Sequence, residues 1–188
     1  MLRHVINDDV IKPKLFGRTK MKIVEGLKRL GVLEKRIKSN SDDITKYASV
    51  LSTEKPAFGT EDEQREEVKK LLQASEDLST EYLRLKTQIE KTNLSVTATI
   101  AGRTHTLSEF LIIKRKLARM MQGVYMALNT SAAEHRVHSA RFGPDQKVNV
   151  VQLYDESMRN EKLREWQELY EEVDSRLEVI NATEDLLE

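Results

Sequence analysis

Apolar residues recur at alternating steps of four and three along two separate stretches of this chain, and that rhythm dictates long helices that need helical partners. From about Thr19 to Leu51, the positions Ile23, Leu27, Leu30, Glu34, Ile37, Ser41, Ile44, Ala48 and Leu51 keep the alternation without a slip. Such a seam holds one stripe of a helix against its neighbour, because a 3.5-residue repeat nearly matches the helical turn. Glu34 and Ser41 interrupt it with polar groups, which weaken a coiled coil but can fix its register. TEKPAFGT follows, and its Pro56 and Gly59 mark a connection. Thr60 with Glu63 three residues on is a capping box for a new helix. Val68, Leu71, Ser75, Leu78, Tyr82, Leu85, Ile89 and Thr92 then resume the rhythm. Two heptad helices divided by a short breaker predict an antiparallel hairpin over 21–92, with arms about 45 Å long at 1.5 Å per residue.

The next stretch, SVTATIAGRTHTLSEF, changes period. Val96, Ala98 and Ile100 alternate with Ser95, Thr97 and Thr99, as a strand does. Ala101-Gly102 suits a tight turn and Arg103 to Thr106 a second short strand, giving a β-hairpin over 94–107. A lone two-stranded hairpin is marginal in water, so it must lean on the helices or on another copy. That makes Val96 and Ile100 candidate contact residues. Thr106 or Ser108 caps a third helix over 108–140, with Glu109 in its first turn.

The third helix carries two adjacent apolar rows. Phe110, Ile113, Leu117, Met120, Val124 and Ala127 form one, and Leu111, Ala118, Met121, Tyr125, Leu128 and Ala132 the other. A face that broad can touch two neighbours at once. Phe142-Gly143-Pro144-Asp145 stops the helix. After VNVVQL, a last helix over 149–187 carries Leu163, Trp166, Tyr170, Val173, Leu177, Ile180 and Leu187, with a slip in spacing that predicts a kink near Asn160. The expected fold is mainly α: an antiparallel coiled-coil bundle of four long helices with one short β-hairpin between the second and third.

Composition agrees. Of 188 residues 33% are charged and only 5% aromatic, the balance of solvated helices rather than of an α/β enzyme core. Without cysteine there is no disulfide framework and no cysteine-bound zinc. The start MLRHVINDDVIKPKLFGRTK lacks the apolar core of a secretory signal, and no run is long and apolar enough to span a membrane, so a cytoplasmic protein is expected, or a virion component. Net charge is zero but unevenly placed, with a balance of +7 over residues 1–40 and −8 over residues 151–188. Opposite blocks of this kind suit helices packed side by side, within a chain or between copies.

Motifs for chemistry are few. His135 and His138 stand in an EHxxH order, not the HExxH of a zinc protease, and no third ligand accompanies them. No phosphate loop, dinucleotide fingerprint or nucleophile elbow occurs, and the carboxylates fall on solvated helix faces. The chain reads as a non-enzyme without cofactor or metal.

The segment 1–20 reads as an extended arm, with Pro13, Gly17 and no helical period. Its Leu15 and Phe16 are apolar anchors, and Lys12, Lys14 and Arg18 suit an acidic surface, so docking on a neighbouring subunit is preferred over folding back on its own helices. The basic first third offers an alternative, nucleic-acid binding, in which affinity falls steeply with salt.

Several passages in order carry a resemblance: MKIVEGLKRLGVLEKRI (Met21 to Ile37), IEKTN (Ile89 to Asn93), GRTHTLSEFL (Gly102 to Leu111), VNVVQL (Val148 to Leu153) and DSRLEVINATEDL (Asp174 to Leu186). Together they resemble the septicolysin-like family of small bacterial and phage-borne helical proteins, over roughly 21–188. The resemblance implies a helical fold in which the hairpin is a structural joint between two helical pairs. It brings no catalytic residues, and its toxin-like name raises membrane activity as a further alternative. The expected function is therefore a self-associating coiled-coil structural protein, a homo-oligomer with other proteins in a larger assembly such as a virus or phage particle.

Overall fold

The computed structural model describes residues 20–139 and 147–187. The protein is mainly helical, with a two-stranded antiparallel hairpin inserted in the chain. Lys12, Lys14, Leu15, Phe16 and Arg18, the expected arm anchors, lie outside the described residues.

Helix α1 (Ile23–Tyr47) and helix α2 (Glu61–Ser95) fold back on each other. Contacts climb one helix as they descend the other. Arg29 reaches Glu81 through two bonds of 2.9 and 3.2 Å, Tyr82 Oη donates to Glu34 Oε1 at 2.9 Å, and Asn40 Nδ2 donates to Ser75 Oγ at 3.1 Å. At the far end Gln64 is buried; its Nε2 donates to the Tyr47 carbonyl and its Oε1 accepts from the Ala57 N–H, both at 2.8 Å. Tyr47 and Phe58 meet edge to face there, 4.8 Å between centroids. Thr60 and Glu63 form the expected capping box.

The second-helix seam holds as read. The first does not. The stripe of α1 turned inward is Ile23, Gly26, Leu30, Leu33, Ile37, Asn40, Ile44 and Tyr47, one residue away from the expected row over much of its length. Leu27 is 43% exposed while Leu33 is 0% exposed; Glu34 and Ser41 face outward, and Ala48 and Leu51 lie beyond the helix. The cause is Gly26. A Cβ there would stand 2.8 Å from Leu186 Cδ1 and 3.3 Å from Ile89 Cδ1, so the absence of a side chain lets the neighbours close in. Counting apolar side chains skips a glycine in a seam.

Strands β1 (Thr97–Ile100) and β2 (Arg103–Thr106) pair in the register Thr97 with Thr106 and Ile100 with Arg103. Ala101 at φ 50° and Gly102 at φ 70° make the two-residue turn, the left-handed geometry that matches strand twist. Alanine rarely adopts that conformation. Its N–H donates to Glu172 Oε1 at 3.1 Å, which fastens the turn to the last helix. Val96, read as strand, instead caps α2, which runs two residues past Asn93.

The third helical run is not one helix. Helix α3 (Leu107–Ile112), capped by Thr106, continues through a π turn (Ile113–Leu117) into α4 (Ala118–Met126). The Ala118 N–H donates back five residues to Ile113, and such a turn inserts one residue and rotates the face that follows. This explains the two apolar rows. Phe110 and Ile113 of the first are buried, then Ala118, Met121, Tyr125 and Leu128 of the second take over, leaving Met120 and Val124 outside. Up to Ala118 both rows contribute, since Leu111 packs on the core beside Phe110 and Ile113; beyond it only the second row faces inward. Asn129 then ends the helix by donating to the Met126 carbonyl and accepting the Ser131 N–H, both at 3.0 Å, and a separate α5 (Ser131–Ser139) follows with no buried residue.

Helix α6 (Glu156–Thr183) starts later than expected, capped by Asp155, and runs through Asn160 without a break. It lies antiparallel to the α3–α4 run: Lys114 pairs with Asp174, Gln122 Nε2 donates to Gln167 Oε1 at 3.0 Å, and Arg159 Nη1 donates to the Leu128 carbonyl at 3.1 Å. Leu169 enters the core and Tyr170 stays at its rim. Past Thr183 the chain extends along the start of α1. The Ile23 N–H donates to the Glu184 carbonyl at 3.0 Å, the Leu186 N–H to the Met21 carbonyl at 2.8 Å, and Lys22 pairs with Asp185 at 2.6 Å. Leu186, not Leu187, is buried.

Candidate functional site

These contacts bring the start of α1, the end of α2, the hairpin, α3 and the end of α6 to one joint. Ile23, Ile89, Ile100, Leu107, Phe110, Val173 and Leu177 share its core. Ile100 is buried within the chain's own core, so its side chain packs on the helices rather than on another copy. Val96 is half-buried and closes the hairpin base, its carbonyl accepting the Leu107 N–H at 3.0 Å. The guanidinium of Arg103 covers the Trp166 ring at 5.3 Å, and His105 meets Phe110 edge to face at 5.3 Å. Trp166 is thus a wall of the joint. Thr92, fully buried, donates to the Gln88 carbonyl at 2.7 Å and accepts the Leu187 N–H at 2.9 Å, tying the carboxy-terminal segment to α2.

Beside this core runs a groove of about 360 Å³, floored by Ile23, Ile89, Leu111 and Leu177 and rimmed by Leu27, Leu94 and Ile112. Lys86, paired with Glu90 at 3.6 Å, and Arg115 supply its charge. An apolar floor with a charged rim suits binding more than bond-breaking, since no acid–base pair converges on one point within it. Among the described residues no group of three or more histidines, cysteines or carboxylates could hold a metal ion. His135 and His138 are exposed on α5, and His135 Nδ1 lies 3.3 Å from Ser139 Oγ. No described helix is long and apolar enough to cross a membrane.

The perturbed titrating groups belong to the scaffold. Hydrogen bonds from the Thr106 N–H and hydroxyl hold the Glu109 carboxyl below its ordinary value. The bond to Glu34 holds the Tyr82 phenol above its own. Both serve caps and helix pairs.

Thr92 was read as the last seam position of α2, whereas Glu172 and Gly26, which also fix the joint, carry no mark in the apolar rhythm. Gly26 lies between Ile23 and Leu30 at seam spacing, which is a usable signal for close approach. Glu172 sits among acidic neighbours on a solvated face, and only the folded hairpin singles it out.

No family model matches the chain, and no curated protein does. A solved structure similar to it is that of a functionally unknown conserved protein from Corynebacterium diphtheriae, 18% identical, with a TM-score of 0.56 over 89% of this chain and 99% of that one. At that identity the likeness concerns the fold alone.

Proposed function

We propose that the chain is a non-enzymatic, self-associating structural protein whose helices form an antiparallel four-helix coiled-coil bundle within a larger assembly. A virus or phage particle is the setting in view, following the resemblance to a partly phage-borne family. One observation carries the reading: large apolar side chains stay in water on neighbouring turns. Leu94 and Ile112 flank the groove, and Met120 and Val124 stand one turn apart on α4. Grouped apolar exposure of this kind marks contact sites in proteins that fold in water. Light scattering on the purified chain at micromolar concentration tests it. A mass that is a multiple of 21.7 kDa is expected; a single-chain mass, with no larger particle containing it, contradicts the proposal.

A second reading, binding of nucleic acid through the basic first third, is favoured by the exposed Lys28, Lys35, Arg36 and Lys38 of α1. It requires retention on heparin at low salt and steep loss as salt rises.

A further inference from the structure

The outer face of α1, opposite its buried stripe, carries Lys28, Lys35 and Lys38, all exposed. None of them forms an ion pair among the described residues. The outer face of α6 carries Glu168, Glu171 and Glu178, also exposed. Glu168 reaches Arg164 only at 3.9 Å, and Glu171 accepts from Gln167 Nε2 at 2.6 Å. The spacings match in opposite directions: seven then three residues going up from Lys28, seven then three going down from Glu178. Laid antiparallel, Lys28 meets Glu178, Lys35 meets Glu171 and Lys38 meets Glu168. One turn further the signs exchange together, because Asp42 falls opposite Arg164.

The same register keeps the backbones free to approach. Gly31, with nothing within 4 Å of where its Cβ would stand, falls opposite Ser175. Facing rows of opposite charge with small residues between them describe a helix–helix contact. A surface for a polyanion has no use for Asp42 at that place.

We propose that these two faces bind each other between copies, α1 of one chain against α6 of the next, which rests on the self-association reading above. Inside one chain the faces point away from the core that the two helices share. There α1 begins where α6 ends, joined from Ile23 to Glu184. The contact is heterologous: each copy presents a basic face on one side and an acidic face on the other. It closes into a ring or grows into a row, according to the rotation between copies.

Two charge-reversed chains test it. The first carries Lys28→Glu, Lys35→Glu and Lys38→Glu; the second carries Glu168→Lys, Glu171→Lys and Glu178→Lys. Circular dichroism first verifies that each folds, and if a triple variant does not, the single exchanges Lys35→Glu and Glu171→Lys replace it. Sedimentation at low salt should show wild type above single-chain mass, each variant alone at lower mass, and their equimolar mixture restored to the wild-type mass. Added salt should dissociate wild type. A variant that alone keeps the wild-type mass, or a mixture that stays dissociated, overturns this interface while leaving self-association standing. A single-chain mass for wild type overturns both.

Discussion

The two halves of the α1–α2 hairpin share one heptad rhythm and yet bury very different amounts of surface. At the joint, Ile23, Leu30, Leu33, Leu85 and Ile89 are buried because α3, the hairpin and α6 close over them. Toward the tip, Ile37, Ile44, Val68 and Leu71 are only half-buried, since each helix there has the other as its main cover. The tip half replaces depth with polar fastening: the Asn40–Ser75 bond within the seam, and Gln64 bonded to the Tyr47 carbonyl at the end of α1 and the Ala57 N–H of the loop. Seam spacing sets which residues face inward. The number of neighbouring elements sets how much burial that facing brings.

Substitutions at equivalent seam positions should separate the halves. The largest effect is expected at the joint, where Ile100→Asp places a charge beside Phe110 and Leu107 and should cost several kcal/mol, enough to abolish a cooperative melt. An unchanged melting temperature would mean that the strand face is solvated. Next, Leu33→Ala should cost about 3 kcal/mol and Ile44→Ala about 1 kcal/mol, because the half-buried site loses less transfer energy and leaves no closed cavity. Equal losses in denaturant titrations would remove the distinction between the halves. Gln64→Ala should cost about 1–2 kcal/mol by leaving loop backbone groups unpaired, and the change should be confined to amide exchange near 47–64.

The smallest effect concerns the cap of α3. Because the folded Glu109 carboxyl titrates below its ordinary value of 4.5, its contribution is fully present above that value. It is lost as the pH falls through the lower folded value. Glu109→Gln should therefore flatten the acid side of the stability profile. A variant whose melting temperature falls with acid as steeply as wild type would show that the cap carries no such linkage.

Much of this architecture was legible before folding. Period, breakers and caps located α1, α2 and the β-hairpin, because each depends on neighbours in sequence. The seam of α2 was readable for the same reason, its inward positions being occupied by visible side chains. On α1 the seam was readable at Ile23, Leu30, Ile37 and Ile44 but not at Gly26, which contributes by having no side chain while Leu27 offers a competing row. The π turn at Ile113–Leu117 appeared only as a second apolar row, read as one broad face, because a one-residue insertion in the hydrogen-bond ladder leaves no residue type to mark it. At the joint, Ile100 was readable from strand alternation. Glu172, which holds the Ala101 N–H, and Leu186, which lies against Gly26, were not, because they arrive from the far end of the chain.

Native-state hydrogen exchange along α1 tests the contrast between the halves most directly. Amides of 27–33 should exchange only through global unfolding, and those of 41–47 through a smaller opening that leaves the joint intact. Uniform protection along the whole helix, or faster exchange at the joint than at the tip, would contradict a core concentrated around the β-hairpin.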